Sequence, residues 1–174
     1  MRNLFIFIFI FTYAFSMRLS AINLEQLELE DGFEISIFAD NLDAPRQMVE
    51  GENGTIFVAE RGGQILALID ADKNGQIDSK IIVAKDLTLS TGLSIFDGSL
   101  YFSEISKIWK INNIEDWLRN QTDINELPNK NLVIDGLPDD TWHGWKWLQH
   151  DEQGRLHFNV GAPCNICLSE NQQF

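Results

Sequence analysis

Cysteine occurs only twice in this chain, at Cys164 and Cys167, and histidine only three times. Two thiols with no histidine at a matching spacing exclude a four-ligand zinc site. The pair also lacks the strand–helix setting of a thioredoxin-type redox motif. Positive charge is scarce as well: 13 Lys and Arg stand against 26 Asp and Glu, for a net charge of −13. A surface of that sign repels phosphate backbones and excludes nucleic acid as a partner. Beyond the first residues, no apolar run is long enough to span a bilayer.

The one long apolar run is Leu4 to Phe15, preceded by Arg2. With small residues Ala14 and Ser16 at the −3 and −1 positions, it has the layout of a signal peptide covering residues 1–16. An uncleaved anchor is the alternative, but the run is shorter than the ~20 residues a span needs. Cleavage leaves residues 17–174, one domain with a real core and no stable membrane span. The expected location is the periplasm or the exterior, where Cys164 and Cys167 would form a small-loop disulfide. Asn53 and Asn120 head Asn-x-Thr sequons, which matter only in a host that glycosylates.

From residue 33 the chain alternates short apolar runs with turn residues. Residues 33–39 place Phe33, Ile35, Ile37 and Ala39 on one face at a period of two, which predicts a strand. Residues 54–60 and 63–69, joined at Arg61-Gly62, predict a tight hairpin, and residues 79–84 a third strand. Ile95-Phe96, the turn Asp97-Gly98 and residues 99–104 predict another hairpin, followed by a strand over 107–111. One short helix is expected after Asn112-Asn113, with Glu115 placed as in a capping box.

A repeat underlies this pattern. Gly54, Gly98 and Gly154 each end a turn, and after one further residue comes an apolar triplet: Ile56-Phe57-Val58, Leu100-Tyr101-Phe102 and Leu156-His157-Phe158, the last interrupted by His157. The glycines are 44 and 56 residues apart. A period of about 40–50 residues with about four strands per unit is that of propeller blades. A β-sandwich with similar hairpins is the alternative. The expected fold is thus all-β, about three blades of a propeller. Three blades cannot close a ring, so the chain reads as an N-terminal part, a truncated reading frame or a member of a self-associated assembly. The open faces of such an arc invite self-association.

Three segments could carry chemistry. Asp70, Asp72, Asn74, the carbonyl of Gln76, and Asp78 fall at calcium-loop positions one, three, five, seven and nine, with Gly75 at the sharp turn. Position twelve, normally a bidentate Glu, is Ile81. The competing reading is an acidic Asx-turn connection. Trp142, Trp145 and Trp147 surround His143, a residue able to take a proton near neutral pH. Either they form a platform for a flat cofactor or a sugar ring, or the tryptophans fill the core and His143 satisfies a backbone group. Cys164 and Cys167 make the third segment.

Residues 32–39, 44–48, 54–61, 97–105, 135–138, 143–146 and 161–167, in that order, resemble the pyrroloquinoline quinone (PQQ)-dependent soluble sugar dehydrogenases, especially the sorbosone dehydrogenase-like branch. The resemblance implies a six-bladed propeller, of which this chain covers about the first half. It implies an oxidoreductase passing hydride from a sugar hydroxyl or hydrated aldehyde to PQQ, with Ca²⁺ polarising the quinone and a small sugar or aldehyde as substrate. It places His143 at the family's general base. Trp142 departs from the pattern, which has a second His or an Asp there. The family's PQQ carboxylate-binding cations and its Ca²⁺ ligands lie mostly in the other half, so no cofactor-binding residue is assigned, and the chain alone is expected to be inactive. The competing functions are a non-catalytic exported propeller that binds a sugar or a protein, and an inactive truncated frame.

Overall fold

A computed structural model describes residues 24–123 and 125–162. The signal peptide, residues 1–16, and the pair Cys164 and Cys167 lie outside the described residues. The chain divides into two units, Met1–Ser36 and Ile37–Phe174. In the first, the regular structure among the described residues is one 3₁₀ turn, Leu24–Gln26.

The second unit is built from antiparallel strands laid down in sequence order. The first sheet runs β1 (Pro45–Glu50), β2 (Ile56–Glu60), β3 (Gln64–Ile69) and β4 (Ser79–Ala84). The second runs β5 (Leu93–Phe96), β6 (Ser99–Ser103), β7 (Ile108–Ile111) and β8 (Asn131–Ile134), with helix α1 (Ile114–Asn120) between β7 and β8. A hairpin of β9 (Leu148–His150) and β10 (Leu156–Phe158) forms a third sheet. Among the described residues these are two four-stranded propeller blades and the opening hairpin of another.

The three repeat glycines occupy equivalent turns, between β1 and β2, β5 and β6, and β9 and β10. Each has the positive φ its turn requires, +87° at Gly54, +66° at Gly98 and +76° at Gly154. The first and third turns share one hydrogen-bond scheme: Gly54 N–H donates to Gly51 at 3.1 Å, and Gly154 N–H to Asp151 at 3.0 Å. The second is tighter, a two-residue turn in which Asp97 and Gly98 both have positive φ. The triplets after these turns form β2, β6 and β10. β2 and β6 are flanked on both sides within their sheets and are largely buried, whereas β10 has one neighbour among the described residues and is half-exposed.

Burial follows from that stacking. Phe57, Ile65, Leu93, Leu100, Phe102, Ile111 and Ile114 form the core between the two blades. Each such side chain contributes about 1.5–3 kcal/mol on leaving water. Val58, Leu66 and Leu68 face the other way and are covered by Phe38, Ala39 and Leu42 from the segment leading into β1.

Two sequence expectations fail here. Residues 33–39 make no strand. Their period-two pattern leaves Phe33 69% exposed, with Ile35 and Ile37 also out. A strand needs a partner edge, and none among the described residues pairs with this segment. The α1 cap also differs. Asn113 sits in the left-handed region with no side-chain cap bond. Glu115 instead accepts hydrogen bonds from Asn53, from its N–H at 3.0 and 3.1 Å and its amide at 2.8 Å, tying the helix to the first blade's turn.

Candidate functional site

The strands that open the blades, β1, β5 and β9, pack side by side, β5 between the other two. Gln47 on β1 joins all three. Its amide donates to the Leu148 carbonyl at 2.8 Å, and its oxygen accepts Leu93 N–H at 3.0 Å and Leu148 N–H at 3.2 Å. Gln47 is buried, and these three bonds satisfy groups that β5 and β9 would otherwise leave unpaired. Ser94 makes a second link from β5 to β9, with its hydroxyl 2.9 Å from His150 Nδ1. His150 lies against Phe96 and Tyr101, and burial pushes its pKa down.

Because the strands alternate in direction, the residues entering β1, β5 and β9 meet the residues leaving β2, β6 and β10 at one end. A cavity of about 510 Å³ opens there, lined by Pro45, Arg46, Gln47, Thr91, His143, Trp145, Lys146, Trp147 and Asn159. His143, picked out in the sequence, is therefore in a cavity wall and exposed, as a proton acceptor must be and a core histidine is not. The tryptophans are not core either: Trp142 is 65%, Trp147 58% and Trp145 39% exposed. The ring of Trp142 lies 5.0 Å from that of His143.

A strained dihedral and two close approaches fix the His143 loop. His143 has φ +59°, a costly conformation for a non-glycine residue. A Cβ on Gly161 would fall on the His143 carbonyl oxygen, and one on Gly144 on the Asp140 carbonyl. Only glycine allows these segments to close up. Asn159 then pins the exit of β10 to the entry of β9, accepting Trp147 N–H at 2.6 Å and donating to the Trp145 carbonyl at 2.9 Å.

The sequence reading named no residue able to hold an anion, and the structure supplies two. Arg46 and Arg61 both stack on Trp145, with guanidinium carbons 4.8 and 5.0 Å from the ring centroid. Among the described residues neither has a carboxylate within ion-pair reach. Arg46 is the second residue of β1 and Arg61 follows β2, so one hairpin's geometry brings them together. In a chain of net charge −13, two guanidiniums over one tryptophan ring, with no ion-pair partner among the described residues, are a local inversion of charge. The signal in the sequence was Arg61 directly after a blade strand and Arg46 at the start of another.

The acidic loop is a separate place. Carboxylate oxygens of Asp70, Asp72 and Asp78 gather within 4.8 Å of one another. The loop is also bonded within itself. Asp70 accepts Asn74 N–H at 3.1 Å and Gly75 N–H at 2.8 Å, Asp78 accepts Ala71 N–H at 2.7 Å, and Asn74 accepts Gln76 N–H at 2.9 Å. These Asx-type bonds shape the turn while the three carboxylates stay gathered at it.

Comparison with known proteins bears on this geometry. The TrAA12-like family model matches residues 27–172. The chain belongs to the TrAA12-like family. An uncharacterised protein of Borreliella burgdorferi is 24% identical over 152 residues, covering 84% of this chain and 38% of its own length. The PQQ domain of a Coprinopsis cinerea pyranose dehydrogenase, solved in its holo form, superposes with a TM-score of 0.66 at 20% identity, covering 84% of this chain and 34% of that one. A Trichoderma reesei enzyme of carbohydrate-active family AA12 gives 0.63 at 20% identity, over 78% of this chain and 34% of that one. The chain thus spans little more than a third of the relatives it matches, and its fold is part of a PQQ-type β-propeller. Among the described residues no helix is long and apolar enough to cross a membrane.

Proposed function

We propose that this TrAA12-like chain is the N-terminal portion of an exported PQQ- and Ca²⁺-dependent dehydrogenase acting on a small sugar or hydrated aldehyde. The observation that carries the reading is that His143 shares one cavity wall with Arg46, beside the paired guanidiniums on Trp145. PQQ is a flat tricarboxylate, and Arg46 and Arg61 are of the kind that binds carboxylates. The residues present therefore fit one wall of such a site. When bound, PQQ would accept hydride from the substrate carbon, with Ca²⁺ polarising its quinone.

The chain's own residues have distinct tasks in this reading. Arg46 and Arg61 hold carboxylate oxygens and fix the orientation of the ring. Trp147 and Trp142 exclude water and offer faces on which a sugar ring can stack. His143 receives the proton from the substrate hydroxyl through a ring nitrogen, so that its own charge rises as the alcohol is oxidised. The exposed tryptophans would equally serve a propeller that binds sugar without turning it over.

One experiment separates the two. In a ring completed with the remaining blades and loaded with PQQ and Ca²⁺, His143→Ala should lower kcat by a factor of at least ~10², the scale of general-base loss. Unchanged turnover in the folded, loaded variant returns His143 to a structural role and favours the binding protein.

A further inference from the structure

Lys146 is the least expected charge in the second unit. Its residue is 2% exposed, and it has no carboxylate partner among the described residues. An ammonium in that position gives up its hydration, and an apolar side chain of the same length would fill the space more cheaply. What it makes instead is two bonds to backbone oxygens: Nζ donates to the Gly144 carbonyl at 2.5 Å and to the Pro138 carbonyl at 3.4 Å. Those two carbonyls bracket the segment that carries His143.

The base of the side chain is equally fixed. The Thr91 hydroxyl donates to the Lys146 carbonyl at 3.0 Å and accepts its N–H at 3.2 Å. Thr91 in turn gives its own carbonyl to Gln47 N–H at 3.3 Å. Lys146 is thus held by the entry to β5 and reaches forward to grip the loop ahead of it.

We infer that Lys146 is the positioning residue of His143, its ammonium clamping the 138–144 segment so that the histidine keeps its strained backbone and faces the cavity. The inference rests on the reading of His143 as the proton acceptor, but the clamp can be tested without it. A left-handed histidine persists only where its surroundings over-determine it. Glycines at 144 and 161 permit the conformation, and the lysine enforces it.

The chain's three histidines make NMR of the imidazole C–H groups a direct test. In Lys146→Met, which keeps length and removes charge and donors, the fold and the His150 and His157 signals should be retained. The His143 signal should lose its native position and move to that of a free histidine. Lys146→Arg, which keeps the cation and its donors, should restore it. An unmoved His143 signal in folded Lys146→Met overturns the clamp. If Lys146→Met does not fold, Thr91→Val releases the base of the clamp and should move the same signal; a folded Thr91→Val with His143 unmoved overturns it equally. In the completed, PQQ-loaded enzyme, Lys146→Met should lower kcat about tenfold to a hundredfold with little change in KM, as a misplaced catalytic group does. Should His143→Ala prove fully active, the proposed catalysis fails while the NMR result still decides the clamp.

Discussion

Arg46 and Arg61 stack on Trp145 with no carboxylate among the described residues to neutralise them, so the pair is poised for an anion. Arg46→Ala and Arg61→Ala should each weaken binding of a PQQ-like tricarboxylate, and the loss should shrink as salt rises, measured by fluorescence titration at two ionic strengths. Asp151 gives a sharper expectation. A hydrogen bond with His157 and the N–H of Arg155 hold its carboxyl down at about 2. A folded pKa below the unfolded one means the contribution is present above pH ~4 and lost as pH falls toward 2. Carbon-detected titration should therefore find Asp151 still ionised at pH 3, and the β9–β10 turn should loosen only below that. His143 was legible in the sequence because a lone histidine among tryptophans is conspicuous. Lys146 and Gln47 were not, because nothing in a local pattern says that a polar residue will be buried by strands 50 to 100 positions away.

Hairpins were the most legible elements, since a glycine turn between apolar triplets is a local signal. Strands β2, β3, β4, β6 and β7 fall within two residues of their expected bounds. β1 and β9 are largely polar and partly exposed, and their apolar period is too weak to see. The 33–39 segment failed for the opposite reason: its period is clear, but a period cannot supply a partner strand. Two substitutions test the elements. Gly98→Ala must place a Cβ at φ +66° and should cost about 1 kcal/mol, seen as a lower denaturant midpoint with an unchanged slope. Gln47→Leu strands two N–H groups and a carbonyl in the interior. It should cost about 3 kcal/mol or more, far above a typical surface change.

Across the whole chain, the repeat was visible as a period, whereas the placement of the cavity was not. That placement depends on three blades presenting the same end. The second unit leaves Met48, Leu132, Val133, Trp142, Trp147 and Val160 exposed, apolar surface that a partner copy could cover. Copies of the chain should associate in solution, and more strongly at high salt, which screens the repulsion of −13 charges; sedimentation velocity at two salt concentrations checks this. The Gln47 bond to Leu148 closes a span of 101 residues, while every blade ladder pairs neighbours in sequence. Local hairpins close fast and long spans late, so during synthesis or refolding the blades take shape first. The cavity comes into being only when β9 docks, and on mild destabilisation it is the first thing to come apart.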